Sequence, residues 1–356
     1  VGERSAASFP ELFGGERGAE GGGRSAGSGR TPVARAVILA GDVGGTKCNL
    51  GIFEQREGSL VCVREEQLSS HKYARLEDLV AEFLKQANTK VTGACFGIAG
   101  PIVDNRVRTS NLPWEISGDS LARLLSVASV RLLNDLEATC YGVLVFGPDQ
   151  LERIHDGVTG PQATKVVIAA GTGLGEGILF WDGKKHHPNA TEGGHADWAP
   201  HDEQQIELWK FLKQRNPIVS CEILLSGRGF PEVHEFLDPS VIHPEFKTPD
   251  LDPAPVITKN ALEKICPVCV RTLDLWVDIY GSEAGNLAVR NVARGGIYVA
   301  GGIAVKILPK LKDGRFAAAA AEKEKMKDLL SSIPIYVVLN ETAPLIGAAH
   351  VAAGLI

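Results

Sequence analysis

From Ala36 onward the chain settles into short apolar runs that predict strands over residues 36–41, 48–54 and 59–66, followed by an amphipathic helix from Leu76 to Ala87. Gly93 to Ile98 reads as a buried strand stopped by Gly100-Pro101, with a return strand ending near Thr109. Ser117 is placed to cap a helix reaching Leu125. Val130 to Leu133 then forms a strand running straight into Asn134-Asp135, where Asp135 is expected to cap a helix over Leu136 to Val145. A second unit repeats the opening of the first: apolar Lys165 to Ala170, a glycine turn Gly171-Thr172-Gly173-Leu174-Gly175, and a return strand Gly177 to Trp181. Further on, 238–244 and 248–255 read as proline-rich loops, and Thr258 opens a long amphipathic helix or helix pair reaching about Asn291. Strands are expected at Gly296 to Ala300 and Pro334 to Val338. The terminal Ala343 to Ile356 reads as a small-residue helix that packs back across the seam between the two units.

Composition narrows the class. Residues 1 to about 31 carry Gly14-Gly15, Gly21 to Gly23 and Gly27-Ser28-Gly29 between Arg17, Arg24 and Arg30, with too little apolar surface to offset ordering entropy. They read as a flexible tail or linker. A transit peptide is the alternative, although Glu3, Glu11, Glu16 and Glu20 are more acid than such peptides usually carry. With 356 residues, 44% hydrophobic and 22% charged, the chain is long enough for two ordinary domains. No apolar run has the length of a membrane span, and the alanine tract Phe316 to Ala321 reads as a surface helix, so no membrane partner is expected. A net charge of −6 and the lack of a basic stripe argue against nucleic acid and for a small-molecule partner. Seven scattered cysteines suit free thiols in a reducing compartment, the cytoplasm or alternatively a plastid stroma. Cys266-Pro-Val-Cys269 has the spacing of half a zinc site. No second CxxC or HxxxH supplies the other ligands, so both are read as structural thiols.

The chemistry concentrates at strand ends. Gly41-Asp42-Val43-Gly44-Gly45-Thr46 joins two strands; its glycines present bare N–H groups and Thr46 a hydroxyl, together a small anion cradle. Asp42 can hold Mg2+ through water, because hard cations prefer carboxylate oxygens. A plain glycine hairpin with Asp42 as a turn residue is the alternative. Gly171, Thr172 and Gly173 form the second such turn, and Gly301-Gly302 closes another apolar strand. All three stand at carboxyl ends of strands, where α/β folds place ligands. The GxGxG run is not the GxGxxG of dinucleotide folds, and a strand rather than a helix follows it. Asn134-Asp135 lies between the two turns: a carboxylate there can accept the proton of an attacking substrate hydroxyl, or else serves only as a helix cap. Glu192, His195 and Glu222 supply the acceptors and imidazole that a sugar ring requires, while Glu222 alone fits a charged helix start equally well.

In order and spacing, LAGDVGGTKCNLGIF, CFGIAGPI, LLNDLEA, AAGTGLGEG, EGGHADWAP, SCEILLSGRG and VAGGIAVK resemble the bacterial-type glucokinases of the actin, hexokinase and heat-shock-chaperone ATPase superfamily. The resemblance runs from about Val37 to the C-terminus. It implies an α/β, two-domain actin-like ATPase (ribonuclease H-like) fold with an interdomain cleft. The domains would be a tail over 1–33, a small domain over 34–145 plus 340–356, and a large domain over 146–339. It further implies phosphorylation of glucose to glucose 6-phosphate by Mg-ATP, the first step of glycolysis, with Asp135 as general base. Asn134, Asp135, Glu192, His195 and Glu222 would bind glucose. Asp42, Gly44, Gly45, Thr46, Gly171, Thr172, Gly173, Gly301 and Gly302 would bind ATP, with Mg2+ at Asp42 through water. A homodimer is expected. The cysteine-rich zinc motif of the related repressor/kinase family is missing, which places the chain in the zinc-free branch, and Lys47 stands where Asn is more usual. Two other activities stay open: a kinase of another hexose such as fructose or mannose, and a sugar sensor without turnover. The second is disfavoured by the intact Asp135 and turns and by the lack of a helix-turn-helix module.

Overall fold

The computed structural model describes residues 36–355 apart from 57, 110–111, 159 and 249–250, so the tail assigned to 1–33 lies outside the described residues. The strands are β1 (Val37–Val43), β2 (Lys47–Arg56), β3 (Ser59–Ser69), β4 (Gly93–Ile98), β5 (Arg106–Arg108), β6 (Glu115–Ser117), β7 (Val130–Asn134), β8 (Leu151–His155), β9 (Lys165–Ala170), β10 (Leu174–Trp181), β11 (His186–Thr191), β12 (Ile297–Ala300) and β13 (Ile335–Val338). The helices are α1 (Leu76–Ala87), α2 (Gly118–Leu125), α3 (Asp135–Val145), α4 (Glu203–Lys213), α5 (Cys221–Leu224), α6 (Gly229–Leu237), α7 (Pro253–Leu262), α8 (Pro267–Asn291), α9 (Gly302–Lys306), α10 (Leu308–Leu311), α11 (Arg315–Ala321), α12 (Lys327–Ser331) and α13 (Ala343–Ala352).

Two main sheets are built on one plan. The first runs β3-β2-β1-β4-β7 and the second β11-β10-β9-β12-β13-β8. In each, a three-stranded antiparallel meander joins through its first strand to two parallel strands. The repeat seen in the glycine turns therefore extends to whole sheets. In both, parallel strands end side by side: Val43 pairs with Ile98 and Ile98 with Asn134, while Ala300 pairs with Ala169 next to the second turn.

Alternation along the strands divides the cores. Leu39 of β1 faces α1 and α2, with Leu79, Phe83 and Leu121, whereas Ile38 and Ala40 face α13, with Leu345, Ala348 and Ala349. In the second sheet Val166 and Ile168 face the large helical core around α8, and Val167 faces Leu136, Cys140 and Val143 of α3. Helix α3 is thus held on the second sheet while its Ala138 joins the core beneath the first. A side chain at Gly142 would come within 2.4 Å of the Ala343 carbonyl, and one at Gly347 within 1.9 Å of the Ala138 carbonyl, so α3 and α13 meet almost backbone to backbone. The expected return of the C-terminal helix to the seam is observed in this form, with Ala343 in the core over the second sheet and Leu345 to Ala349 under the first.

Several expectations change. The alanine tract is not a surface helix: Phe316, Ala317, Ala320 and Ala321 are buried. Cβ atoms at Gly281 and Gly285 of α8 would lie 2.4 and 2.2 Å from carbonyls of that tract, so small residues on both helices permit close approach. Helix α7 begins at Pro253 rather than Thr258. The Asp252 carboxylate accepts from the Ala254 N–H at 2.9 Å, and proline is tolerated at the first helical position because its missing N–H would be unpaired there anyway. Strands β8 and β11 carried no periodic signal. Both are edge strands, and β11 contains Pro188, which an edge accommodates.

Candidate active site

The first glycine turn closes with Gly44 N donating to the Lys47 carbonyl at 3.0 Å, and Asp42 pairs with Asn49 across the hairpin. Gly41 is required by packing: a Cβ there would fall 2.3 Å from the Phe96 ring. Thr46 and Lys47 are exposed at the tip, so Lys47 projects into solvent. Sequence reasoning missed the support beneath. Fully buried Ser70 donates its hydroxyl to the Gly44 carbonyl at 2.9 Å and its N–H to the Thr46 carbonyl at 3.0 Å. A serine just beyond an exposed edge strand gives no sequence signal for such a role.

Asn134 and Asp135 stand where β7 becomes α3. Here the structure corrects the expected cap: Asn134, not Asp135, is the N-cap, its Oδ1 accepting from Leu136 N at 2.8 Å and Glu137 N at 3.3 Å. Asn134 has extended backbone and Asp135 is already helical, so the cap falls one residue earlier. The Asn134 amide also donates to the Gly100 carbonyl at 3.2 Å, leaving one amide hydrogen for a ligand. Asp135 accepts from its neighbour Leu136 N at 2.9 Å through Oδ1, and Oδ2 is left for chemistry. Burial pushes the Asp135 carboxyl up, against the pull of its backbone hydrogen bonds, and the Glu192 carboxylate adds to the rise. Burial, and then the negative charge of Asp135, push Asp42 up to about 6, against the hydrogen bond that Asn49 donates to it at 3.3 Å. Asp42, Asp135 and Glu192, from two sheets, therefore share one electrostatic neighbourhood.

The second turn is bound to the same place. Leu136 and Cys140 of α3 lie against β10 where Gly175 and Gly177 leave room; a Cβ on Gly177 would meet the Cys140 sulfur at 2.6 Å. Gly171 N donates to the Gly173 carbonyl at 2.9 Å, and the Gly171 carbonyl accepts from Gly227 N at 2.9 Å. Glu222, expected among the sugar ligands, has Oε2 accepting from Leu174 N at 3.0 Å and Oε1 3.7 Å from the Arg228 guanidinium. It braces the second turn. Gly301, at φ 87°, sits with its Cα so close to Ala170 that a Cβ would be 2.5 Å from that carbonyl; this brings Gly301-Gly302 beside the turn. Thr172 is exposed at its tip.

Glu192 and His195 flank a single helical turn, His195 Nε2 lying 3.9 Å from Glu192 Oε2 with both side chains about two-thirds exposed, at 64% and 65%. Beneath them is Glu176, 1% exposed, which sequence reasoning did not single out. Burial and the Glu283 carboxylate push it up to about 7, with Arg290 acting in the other direction. The signal was available: a lone acid between Gly175 and Gly177 at an inward position of an apolar strand. A Cβ on Gly193 would lie 2.1 Å from its carboxylate, so the Glu192-to-His195 turn is seated directly on it.

Carboxylates facing each other between two N–H-lined glycine turns can bind a hydroxylated molecule and a phosphate chain and remove a proton. Known proteins agree. The family model described as glucokinase matches residues 39–355. A glucokinase of Nostoc sp. is 36% identical over 342 residues, covering 90% of this chain and 99% of that protein. The crystal structure of a glucokinase from an Antarctic psychrotroph superposes with a TM-score of 0.79 at 27% identity, covering 89% of this chain and 99% of that one. A glucokinase from Balamuthia mandrillaris, solved with glucose, shares the fold at a TM-score of 0.77 and 22% identity, over 91% of this chain and 96% of that one. The fold is that of the actin-like ATPases, and the chain belongs to the glucokinase family.

Proposed function

We propose that Asp135 is the general base of this ATP-dependent glucose kinase, taking the proton of the sugar 6-hydroxyl as that oxygen attacks the γ-phosphorus of ATP. The new bond is oxygen to phosphorus, the bond broken is that from the γ-phosphorus to the bridging oxygen, and ADP leaves. The observation that carries the assignment is the clustering of Asp42, Asp135 and Glu192 at the head of α3, between the two glycine turns. A carboxyl raised by burial is a stronger base once ionised, which suits proton transfer from an alcohol.

Asn134, Glu192, His195 and Glu222 are assigned to the remaining glucose hydroxyls. Glu222 has a double part, since Oε2 holds the Leu174 N–H while Oε1 is open to a hydroxyl once Arg228 gives way. The N–H groups of Gly44, Gly45 and Thr46 on one side, and of Gly171, Thr172 and Gly173 on the other, are assigned to the phosphates, with Gly301 and Gly302 beside the adenosine. The family also implies Mg2+. Asp42 fits it: a hard oxygen donor beside a second carboxylate, its charge opposed by burial and like charge, gains from a hydrated divalent cation. Such an ion would neutralise charge on the transferring phosphoryl group.

The two sheets are taken as centres of a small domain, 34–145 with 340–356, and a large one, 146–339. Closing them on sugar would exclude water from the phosphoryl group. The kinase is read as a cytoplasmic homodimer; among the described residues no helix is long and apolar enough to cross a membrane. The test is coupled phosphorylation of glucose with Mg-ATP by wild type and Asp135→Asn, with fructose and mannose as rival substrates. Turnover on glucose should fall at least ~10²-fold in the variant with little change in glucose binding. Undiminished turnover would remove Asp135 from the mechanism, and faster turnover on fructose or mannose would change the substrate.

A further inference from the structure

Outside the residues assigned to the cleft, four side chains converge that the sequence did not connect. His234 lies in α6, His243 directly precedes the short turn Pro244–Lys247, Cys266 is the N-cap of α8, and Cys269 is in its first turn. One donor atom from each lies within 4.8 Å of all the others. His234, Cys266 and Cys269 are buried and His243 is half-buried. The reading of Cys266 and Cys269 as thiols lacking further ligands is corrected to this extent: two imidazoles nine positions apart, outside any HxxxH spacing, complete the set through the fold.

We propose that His234, His243, Cys266 and Cys269 form a closed, structural Zn2+ site. The donor set is two sulfurs and two imidazole nitrogens, the composition that tetrahedral zinc favours, and the C-x-x-C pair is held at a helix start as structural sites commonly hold it. Independent of the clustering, His234 Nε2 is buried without a hydrogen-bond partner among the described residues, although only 3% of the residue is exposed. A buried ring nitrogen in that position costs free energy unless something coordinates it. His243 Nε2 is already 3.2 Å from Cys269 Sγ, and its other nitrogen, Nδ1, lies 3.4 Å from the Asn260 side-chain amide. With the amide oxygen turned toward it, Nδ1 keeps its proton and Nε2 is presented as a ligand, the outer-shell arrangement typical of zinc-bound histidine. Phe246 packs edge-on against both imidazoles, at 5.5 Å from His234 and 5.1 Å from His243, and closes the site with an apolar wall.

The size fits as well. Tetrahedral zinc with bonds of about 2.3 Å to sulfur and about 2.0 Å to nitrogen places ligand atoms roughly 3.3–3.8 Å apart, so donor atoms lying within 4.8 Å of one another need to contract by about 1.5 Å at most. Zn2+ with two thiols and two neutral imidazoles gives a neutral complex and releases two protons to solvent, so no net charge is left in a buried place. No position remains open for water or substrate. The site therefore acts as a staple between α6, the segment ahead of α7, and the start of α8. Helix α6 follows shortly after Glu222 and Gly227, which hold the second glycine turn, so the staple anchors the helix that continues from that brace.

The test is metal analysis of the full-length protein purified without chelators, with Cys269→Ser and His243→Ala compared. About one zinc per chain is expected in wild type and background levels in either variant. Should both variants fail to fold, wild type alone decides: Co2+ exchanged into it should give the intense visible bands of tetrahedral cobalt and a thiolate-to-cobalt charge-transfer band. Chelation should also make Cys266 and Cys269 alkylate faster by at least ~10-fold, as peptide mass spectrometry would read. Less than about a tenth of a zinc per chain after incubation with Zn2+, a weak octahedral cobalt spectrum, or a Cys266–Cys269 disulfide in freshly purified protein would each overturn the proposal.

Discussion

Replacing Asp42 by Asn should make the protein more stable at neutral pH while disabling it. The carboxyl of Asp42 is pushed from its ordinary 3.8 up to about 6, first by burial and then by Asp135. A group whose folded value is raised contributes stability below its unfolded value and loses it as pH rises through the folded one, here between 3.8 and about 6. Above that window the full gap corresponds to about 3 kcal/mol of lost stability, at about 1.4 kcal/mol for each tenfold change in proton affinity. Asn removes the ionisation, and its side-chain oxygen still accepts from Asn49, as the carboxylate does at 3.3 Å. Denaturant unfolding of the nucleotide-free and metal-free proteins should therefore show the Asp42→Asn variant ahead of wild type by about 3 kcal/mol near pH 7.5 and only about 1 kcal/mol near pH 4.5. Phosphorylation of glucose should drop at least ~10²-fold at the same time, because the carboxylate proposed to hold Mg2+ is gone. A stability gain of equal size at both pH values, or a loss at both, would show that Asp42 is not held as a desolvated, like-charged group.

Two further outcomes separate bracing from binding. Glu192→Ala should raise KM for glucose and leave that for ATP, whereas Glu222→Ala, which strips the acceptor from Leu174 N at 3.0 Å, should raise both, each by about 5- to 150-fold, the equivalent of about 1–3 kcal/mol. Steady-state kinetics with each substrate varied in turn reads this, and a glucose-only effect for Glu222 would confine it to the sugar. Gly347→Val should cost about 1–3 kcal/mol or more in denaturant unfolding, since its Cβ would fall 1.9 Å from the Ala138 carbonyl and prise α13 from α3; a variant of wild-type stability would mean the two helices are free to move apart.

Much of the framework of the candidate site could be read in the sequence because its parts are local. Glycine turns after apolar strands, and an Asn-Asp pair between strand and helix, declare themselves in a few consecutive residues. What escaped is made by residues distant in sequence. Ser70 supports the first turn from 26 positions away from Gly44, and Glu176 supports the Glu192-to-His195 turn from the neighbouring strand. Ser70 carries no periodic signal; Glu176 is marked as a lone acid at an inward position of an apolar strand, but what it supports shows only once the loop is placed on it. The edge strands β8 and β11 escaped for a related reason: with one neighbour and partial exposure, they need no alternation. The alanine tract was misread because alanine is compatible with either surface or core, and the deciding feature, Gly281 and Gly285, sits on another helix.

The glycines also show why the half-buried acids Asp42 and Asp135 are held so firmly. Helix α3 begins with Asp135 and is gripped from both sides by contacts that leave no space for a Cβ: Gly97 and Gly347 against Ala138, Gly142 against Ala343, and Gly177 against Cys140. Packing this close transmits position with little slack, because interiors at near-crystalline density cannot yield by small amounts without lost contacts or clashes. In this conformation the head of α3 is therefore packed closely against β1, whose Asp42 lies in its field, and against β10, which follows the second turn. A carboxylate raised by burial and by a like-charged neighbour costs stability, and it persists only where the surrounding structure over-determines its place. The small residues around α3 supply that over-determination, and the cost they sustain is the one that the pH dependence of the Asp42→Asn variant measures.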